Sequence, residues 1–306
     1  MLSRRAFLTV GGASVTLGCV LGARPSARMR LVLLGTGGGP TPKLERAAPA
    51  QAIVVGDRVY LVDCGDGVAR QMTLASLALD DLRALFITHH HSDHNAGYGS
   101  LFLLGWTSGL ATAVDTYGPP PLVRMTELLL AAHAFDIETR MADEGRQPLA
   151  PLIRPHEITA GGEVFRDDRV RVTAARNHHP PIEHSFAYRF DSVDRSIVIS
   201  GDTTYSESVL QLARGADVLV HEALYRPFWE RPDAPRTAAI RRHILASHTD
   251  VEDVGRLAAA AGVRTLVLTH FVPSDPPDAV SDGEWMEYVR RHFKGEVILG
   301  RDLLEV

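Results

Sequence analysis

The sequence predicts an α/β protein, a single domain over residues 29–306 with mixed sheets inside and helices outside. Three observations point there. From Met29 onward, short apolar or β-branched runs alternate with segments of helical period. The composition is that of an ordinary globular chain, with 306 residues, 45% apolar and 23% charged, large enough to bury about three quarters of its unfolded surface without staples. One strand-like run also passes directly into a cluster of histidines. Two cysteines, Cys19 and Cys64, exclude a disulfide scaffold and a Cys-rich zinc finger. A balance of 32 basic against 37 acidic side chains leaves −5, which argues against a broad nucleic-acid-binding face.

Residues 1–28 read as an address. Arg4-Arg5 is followed by Phe7-Leu8, a mild apolar run over 9–23 and small residues, the parts of an export signal. The run is too short and Gly-rich for a membrane span, which takes roughly 20 apolar residues. The pattern is similar to a twin-arginine signal, so the mature protein is expected in the periplasm or secreted. Cys19 matches a lipoprotein box poorly, with Thr16 where Leu is usual. Removal of the segment would leave Cys64 alone and no transmembrane helix.

Strands are expected over 30–34, 52–55, 59–62 and 85–88, each bounded by Gly, Asp or His. Gly67 to Leu79 fits a helix, with Val68, Met72, Ala75 and Leu79 on one face. Further strands are expected over 170–174, 186–190, 197–200, 218–220 and 266–269. Further helices are expected over 121–134, 251–261 (stopped by Gly262) and 283–293. In the stretch from Gly97 to Pro151, Phe102, Leu103, Leu104 and Trp106 suit core packing better than a substrate entrance.

Fourteen histidines are unusual, and their placement carries the function. His89, His91, Asp93 and His94 form H-x-H-x-D-H at the end of a buried strand. Residues two apart point the same way from extended backbone, and a following turn brings Asp93 and His94 alongside. Imidazole nitrogen and carboxylate oxygen suit Zn²⁺ at about 2.0–2.2 Å with a position open for water. A fortuitous polar loop or tag would neither contain Asp nor terminate an apolar strand.

With this motif the sequence resembles the metallo-β-lactamase superfamily. The segments Leu33-Leu34-Gly35-Thr36-Gly37-Gly38-Gly39-Pro40, Leu61-Val62-Asp63-Cys64-Gly65-Asp66-Gly67, His179-Pro180-Pro181 before Phe186-Ala187-Tyr188-Arg189, Ser200-Gly201-Asp202-Thr203 and Leu268-Thr269-His270-Phe271 follow in the order of its tRNase Z-like branch. The resemblance implies a four-layer αβ/βα sandwich. It implies two divalent metal ions, zinc by donor type, with His89, His91 and His179 on one, Asp93, His94 and His270 on the other, and Asp202 bridging. His179 is preferred to His178 because the His-Pro-Pro context fixes the turn. Val220-His221-Glu222-Ala223 and Ala246-Ser247-His248-Thr249 resemble the segments that imply His248 as a general acid oriented by Glu222. Asp63 suits a hydrogen-bonding support for a ligand. The remaining histidines, 90, 133, 156, 184, 243 and 292, read as ordinary surface or core residues. The Gly35–Gly39 loop suits a tight turn better than an anion cradle.

Such a site implies a hydrolase in which a hydroxide bridging two metals attacks a phosphodiester, sulfate ester or related ester. Only 22 residues separate His179 from Asp202, where bacterial tRNA-processing relatives typically insert a long arm. That interval and the export signal disfavour tRNA, so the expected substrate is a small-molecule ester and nucleic acid is not expected as a partner. The exported arylsulfatase-like and phosphodiesterase-like hydrolases of the branch are the nearest likeness. The alternatives are a lactonase or β-lactamase-like hydrolase, a tRNase Z-type endoribonuclease, or a non-catalytic metal-binding relative. A homodimer is expected from the branch alone.

Overall fold

The computed structural model describes residues 28–274, 276 and 278–306; the twin-arginine-like segment and Cys19 lie outside the described residues. One sheet holds β1 (Arg30–Gly35), β2 (Ala50–Val55), β3 (Arg58–Val62), β4 (Leu82–Phe86), β5 (Val114–Gly118) and β6 (Ile153–Glu157), in that order. The other holds β7 (Gly162–Arg166), β8 (Arg171–Arg176), β9 (Phe186–Asp191), β10 (Ser196–Ile199), β11 (Val218–Leu224), β12 (Thr265–Val272) and β13 (Glu296–Leu299), in the order β13 to β7. Both sheets are mixed. β1 to β3 and β7 to β10 pair antiparallel, and β3 to β6 and β10 to β13 pair parallel. Parallel neighbours need crossovers, and each of these contains one or more helices. These are α1 (Val68–Leu74), α2 (Ser92–Asn95), α3 (Tyr98–Thr107), α4 (Leu122–Ala132) and α5 (Ala134–Glu144) on the first sheet. On the second they are α6 (Glu207–Ala213), α7 (Arg226–Glu230), α8 (Ala238–Ser247), α9 (Val251–Ala261) and α10 (Asp282–Arg290).

The strand period of two explains the four layers. In β1, Leu31 and Leu33 face the space between the sheets, while Val32 and Leu34 join the core beneath α1 and α3. In β12, Val267 points between the sheets and Leu266 and Leu268 point under α9 and α10. Phe86 anchors the central layer, its ring 5.3 Å from Tyr117 and Phe190, 5.4 Å from Tyr188 and 5.9 Å from Phe165. The αβ/βα sandwich expected from the sequence is therefore the observed fold. No helix among the described residues is long and apolar enough to cross a membrane.

Several boundaries differ from the sequence reading. The strand read at 85–88 runs from Leu82 to Phe86, so Ile87 and Thr88 already belong to the loop carrying the histidines. The first helix stops at Leu74 rather than Leu79, because Ser76 turns left-handed (φ 57°) and the chain re-enters as a 3₁₀ turn at Leu79–Asp81. Helix α9 begins and ends as read, closed by Gly262 at φ 69°. Phe102 and Trp106 are core residues, and Leu104 is half exposed away from the cleft.

Candidate metal centre

Most of the site stands at the carboxyl ends of parallel strands, where an α/β sheet leaves room for ligands. The loop after β4 carries His89 and His91, the short α2 that follows carries Asp93 and His94, the turn after β10 carries Asp202, β11 carries Glu222, and β12 carries His270. His179 comes from the connection between β8 and β9. Close approach fixes two glycines. A Cβ on Gly38 would lie 2.6 Å from Val272 Cγ2 and 2.9 Å from His270 Nδ1. Gly201, at φ 59°, would meet the Phe186 carbonyl oxygen at 2.8 Å. Asp63 (φ 60°) and His270 (φ 45°) are non-glycine residues held left-handed, strain of roughly 1–3 kcal/mol each that the surrounding packing must hold.

Hydrogen bonds behind the site decide which nitrogen of several histidines stays open. His94 Nδ1–H donates to Asp63 Oδ2 at 2.7 Å, and His179 Nδ1–H donates to the Ser247 carbonyl at 2.8 Å. Thr88 Oγ1–H donates to Asp63 Oδ2 (2.9 Å), which leaves Thr88 Oγ1 to accept from His89 Nδ1–H at 3.0 Å. All three rings therefore present a bare Nε2 to the interior. His89 Nε2 lies 3.0 Å and His179 Nε2 3.1 Å from His91 Nδ1. Asp202 Oδ2 lies 3.3 Å from His94 Nε2 and 3.1 Å from His270 Nε2, and 4.0 Å from both His89 Nε2 and His179 Nε2. Asp93 Oδ2 completes the second group, 3.6 Å from His94 Nε2 and 3.4 Å from His270 Nε2.

These donors fit divalent cations. Buried lone pairs aimed at one another at about 3 Å repel unless a cation sits among them. His94 Nε2 and Asp202 Oδ1 are buried with no hydrogen-bond partner. His89–His91–His179, Asp93–His94–His270 and His89–His94–Asp202 each converge within 4.8 Å, giving two linked clusters with Asp202 between them. Burial, opposed by Asp202, pulls the His179 imidazole down to about 4, and burial likewise holds His89 well below its ordinary value. Both shifts favour the neutral imidazole that binding a metal requires.

Beside the clusters, Glu222 Oε1 accepts from the Thr203 and Thr249 N–H groups at 3.1 and 3.0 Å, and Oε2 accepts from His248 Nδ1–H at 3.2 Å. Burial works against a charge on His248, but Glu222 and then Asp202 push it up to about 9. His179 is buried within the cluster and His178 is exposed at its edge. His221 is buried, its Nδ1–H bonded to the Glu222 carbonyl, outside the ligand groups.

A cleft of about 710 Å³ opens over the clusters. Its floor includes His91, Asp93, Asp202, His248 and His270; one wall is Gly38–Lys43, and the other is Trp229, Arg236, Ile240, His243 and Ile244. The second wall was missed in the sequence. His243 reads there as ordinary, yet its ring centre lies 6.3 Å from that of His91 and 6.4 Å from that of His179. The only signal was its position one helical turn before Ser247-His248.

Fold and site define a metallohydrolase, an enzyme with a dinuclear metal-coordinating cluster. The beta-lactamase superfamily domain matches residues 58–271, and the chain belongs to the metallo-β-lactamase superfamily, close to its tRNase Z branch. Ribonuclease Z of Mycobacterium bovis (strain BCG / Pasteur 1173P2) is 33% identical over 281 residues, 91% of this chain and 98% of that one. Among solved structures, the metallo-β-lactamase fold protein YhfI from Bacillus subtilis superposes with a TM-score of 0.68 at 20% identity, covering 91% of this chain and 98% of its own. Human tRNase Z, short form, gives 0.64 at 23% identity, with 91% and 98% covered.

These relatives overturn the expectation that nucleic acid is no partner. The match takes in 98% of that ribonuclease Z, so the likeness is to the whole enzyme and not to a shared core alone. The short interval between His179 and Asp202 therefore does not separate this chain from ribonucleases. Net charge misled as well, because it averages over the surface. Residues 226–242 beside the cleft hold five arginines against Glu230 and Asp233.

Proposed function

We propose that this protein is a tRNase Z-type endoribonuclease that hydrolyses a phosphodiester in precursor tRNA. The observation that carries the reading is the end-to-end likeness to ribonuclease Z, 33% identical over 91% of the chain, in a protein that brings the whole donor set together at and beneath the floor of its cleft. His89, His91 and His179 would hold one ion and Asp93, His94 and His270 the other, with Asp202 within reach of both groups. Two divalent ions bound there would supply an acidified water and positive charge that polarises the bond under attack.

The chain's own residues do the rest. Asp63 fixes the His94 ring through the 2.7 Å bond, and Ser247 fixes His179 through its carbonyl. His248 stands in the cleft as an imidazolium paired with Glu222, the acid that gives its proton to the departing oxygen. A poor leaving group such as a ribose hydroxyl needs that proton. Asp93 contributes charge beside the attacked bond.

The test is incubation of purified protein, loaded with Zn²⁺ or Mn²⁺, with a trailer-bearing precursor tRNA, a p-nitrophenyl sulfate and a lactone. Cleavage of the tRNA at one position is expected. Turnover of the sulfate or lactone with the tRNA left intact would overturn the reading.

A further inference from the structure

Helix α8 carries a hydrogen-bonding group that neither the donor clusters nor the His248–Glu222 pair uses. His243 lines the cleft one turn before Ser247, and Ser247 Oγ stands between two partners. Its single proton goes to the Pro180 carbonyl at 2.5 Å, since a carbonyl can only accept. Toward His243 Nδ1, at 3.2 Å, the same oxygen must then accept, which places the imidazole proton on Nδ1. A neutral ring with its proton there keeps a lone pair on Nε2. No partner for that nitrogen exists among the described residues. A bare acceptor in a cleft wall selects a ligand that brings a donor.

Position narrows the donor. The ring centre of His243 lies 6.3 and 6.4 Å from those of His91 and His179, so the group it meets adjoins the bond held over those histidines. In RNA, the carbon next to the one bearing the phosphodiester carries a hydroxyl; in DNA it carries none. Resting on the ribonuclease reading, we propose that His243 Nε2 accepts a hydrogen bond from the ribose 2′-hydroxyl beside the cleaved phosphodiester and so makes the site select RNA over DNA. Ser247 is the positioning residue that fixes the tautomer. Trp229, Ile240 and Ile244 complete the wall with apolar surface suited to the face of the adjoining base.

The experiment uses the metal-loaded full chain and precursor tRNAs with a single 2′-deoxy or 2′-fluoro nucleotide on either side of the cleavage position. Fluorine keeps the ribose shape but cannot donate. Wild type should cleave the all-ribo substrate about tenfold faster than both analogues on one side of the bond, the worth of one hydrogen bond in an open cleft. In His243→Ala that ratio should collapse to about one with metal content unaltered. His243→Gln, whose amide oxygen can stand near Nε2, should restore part of it. Wild type that cleaves ribo, deoxy and fluoro substrates alike, or variants that keep the wild-type ratio, would overturn the assignment even if His243→Ala proved unstable. Wild type that cleaves no RNA but hydrolyses bis(p-nitrophenyl) phosphate would instead bring down the ribonuclease reading, and this inference with it.

Discussion

Replacing Glu222 by Gln separates holding an acid in place from keeping it charged. Glu222 accepts from Thr203 N, Thr249 N and His248 Nδ1. A glutamine can keep its oxygen on the two backbone N–H groups, which turns its amide N–H toward His248 Nδ1. That nitrogen must then accept, and the ring stays neutral with its proton on Nε2. In the native protein, burial opposes the imidazolium, while Glu222 and Asp202 hold it up to about 9. Because this value lies above the free histidine value of about 6.5, the acid is fully protonated below the free value and lost as pH rises through about 9. Cations bound alongside move that limb lower. Loss of the Glu222 charge should lower it by a further 1–3 pH units, roughly the effect of one adjacent opposite charge. The assay is kcat against pH for wild type, Glu222→Gln and His248→Ala, on precursor tRNA and on bis(p-nitrophenyl) phosphate, with metal content measured. His248→Ala should cost about 10²–10⁴-fold on the tRNA and far less on the diester, whose nitrophenolate leaves without a proton. Equal losses on the two substrates would refute the acid role. Metal loss in His248→Ala would instead place His248 among the ligands, since its Nδ1 lies 3.9 Å from Asp202 Oδ2.

Four further outcomes are expected. His91→Ala should lower metal content below two ions per chain, read by atomic emission, together with turnover, because it removes the Nδ1 that faces both His89 and His179. Asp63→Asn should weaken binding of one ion about 10–100-fold in a chelator competition, since an amide cannot accept from Thr88 N, Thr88 Oγ1 and His94 Nδ1 together. Phe86→Ala should destabilise by about 3–5 kcal/mol, seen as a lowered urea midpoint, because its ring holds four aromatic neighbours between the sheets. Replacement of Arg4 and Arg5 by Lys should keep the chain from the periplasm if residues 1–28 are a twin-arginine signal; equal periplasmic recovery of the two forms counts against it. A chain confined to the cytoplasm in both forms removes the compartment conflict with a tRNA substrate.

How far the sequence could be read depended on how locally each feature is encoded. H-x-H-x-D-H packs four donors into one loop, so spacing alone pointed to a metal. His179, Asp202 and His270 are single donors at separate strand ends, legible only because family motifs surround them. Strands β5 and β6 went unread because their inward alternate positions hold Thr116, Gly118 and Pro155 in place of large apolar side chains, so little apolar alternation marks them. Helix α8 went unread for a related reason: Arg241, Arg242 and His243 interrupt its apolar positions, and it buries little except Ser247. That interruption follows from its place. A helix that walls a cleft turns polar groups toward it and has no full apolar stripe to show. The partner expectation failed at this same segment. Net charge was weighed over the whole chain, whereas five arginines stand together over residues 226–242, in the helix beside the cleft and the segment before it.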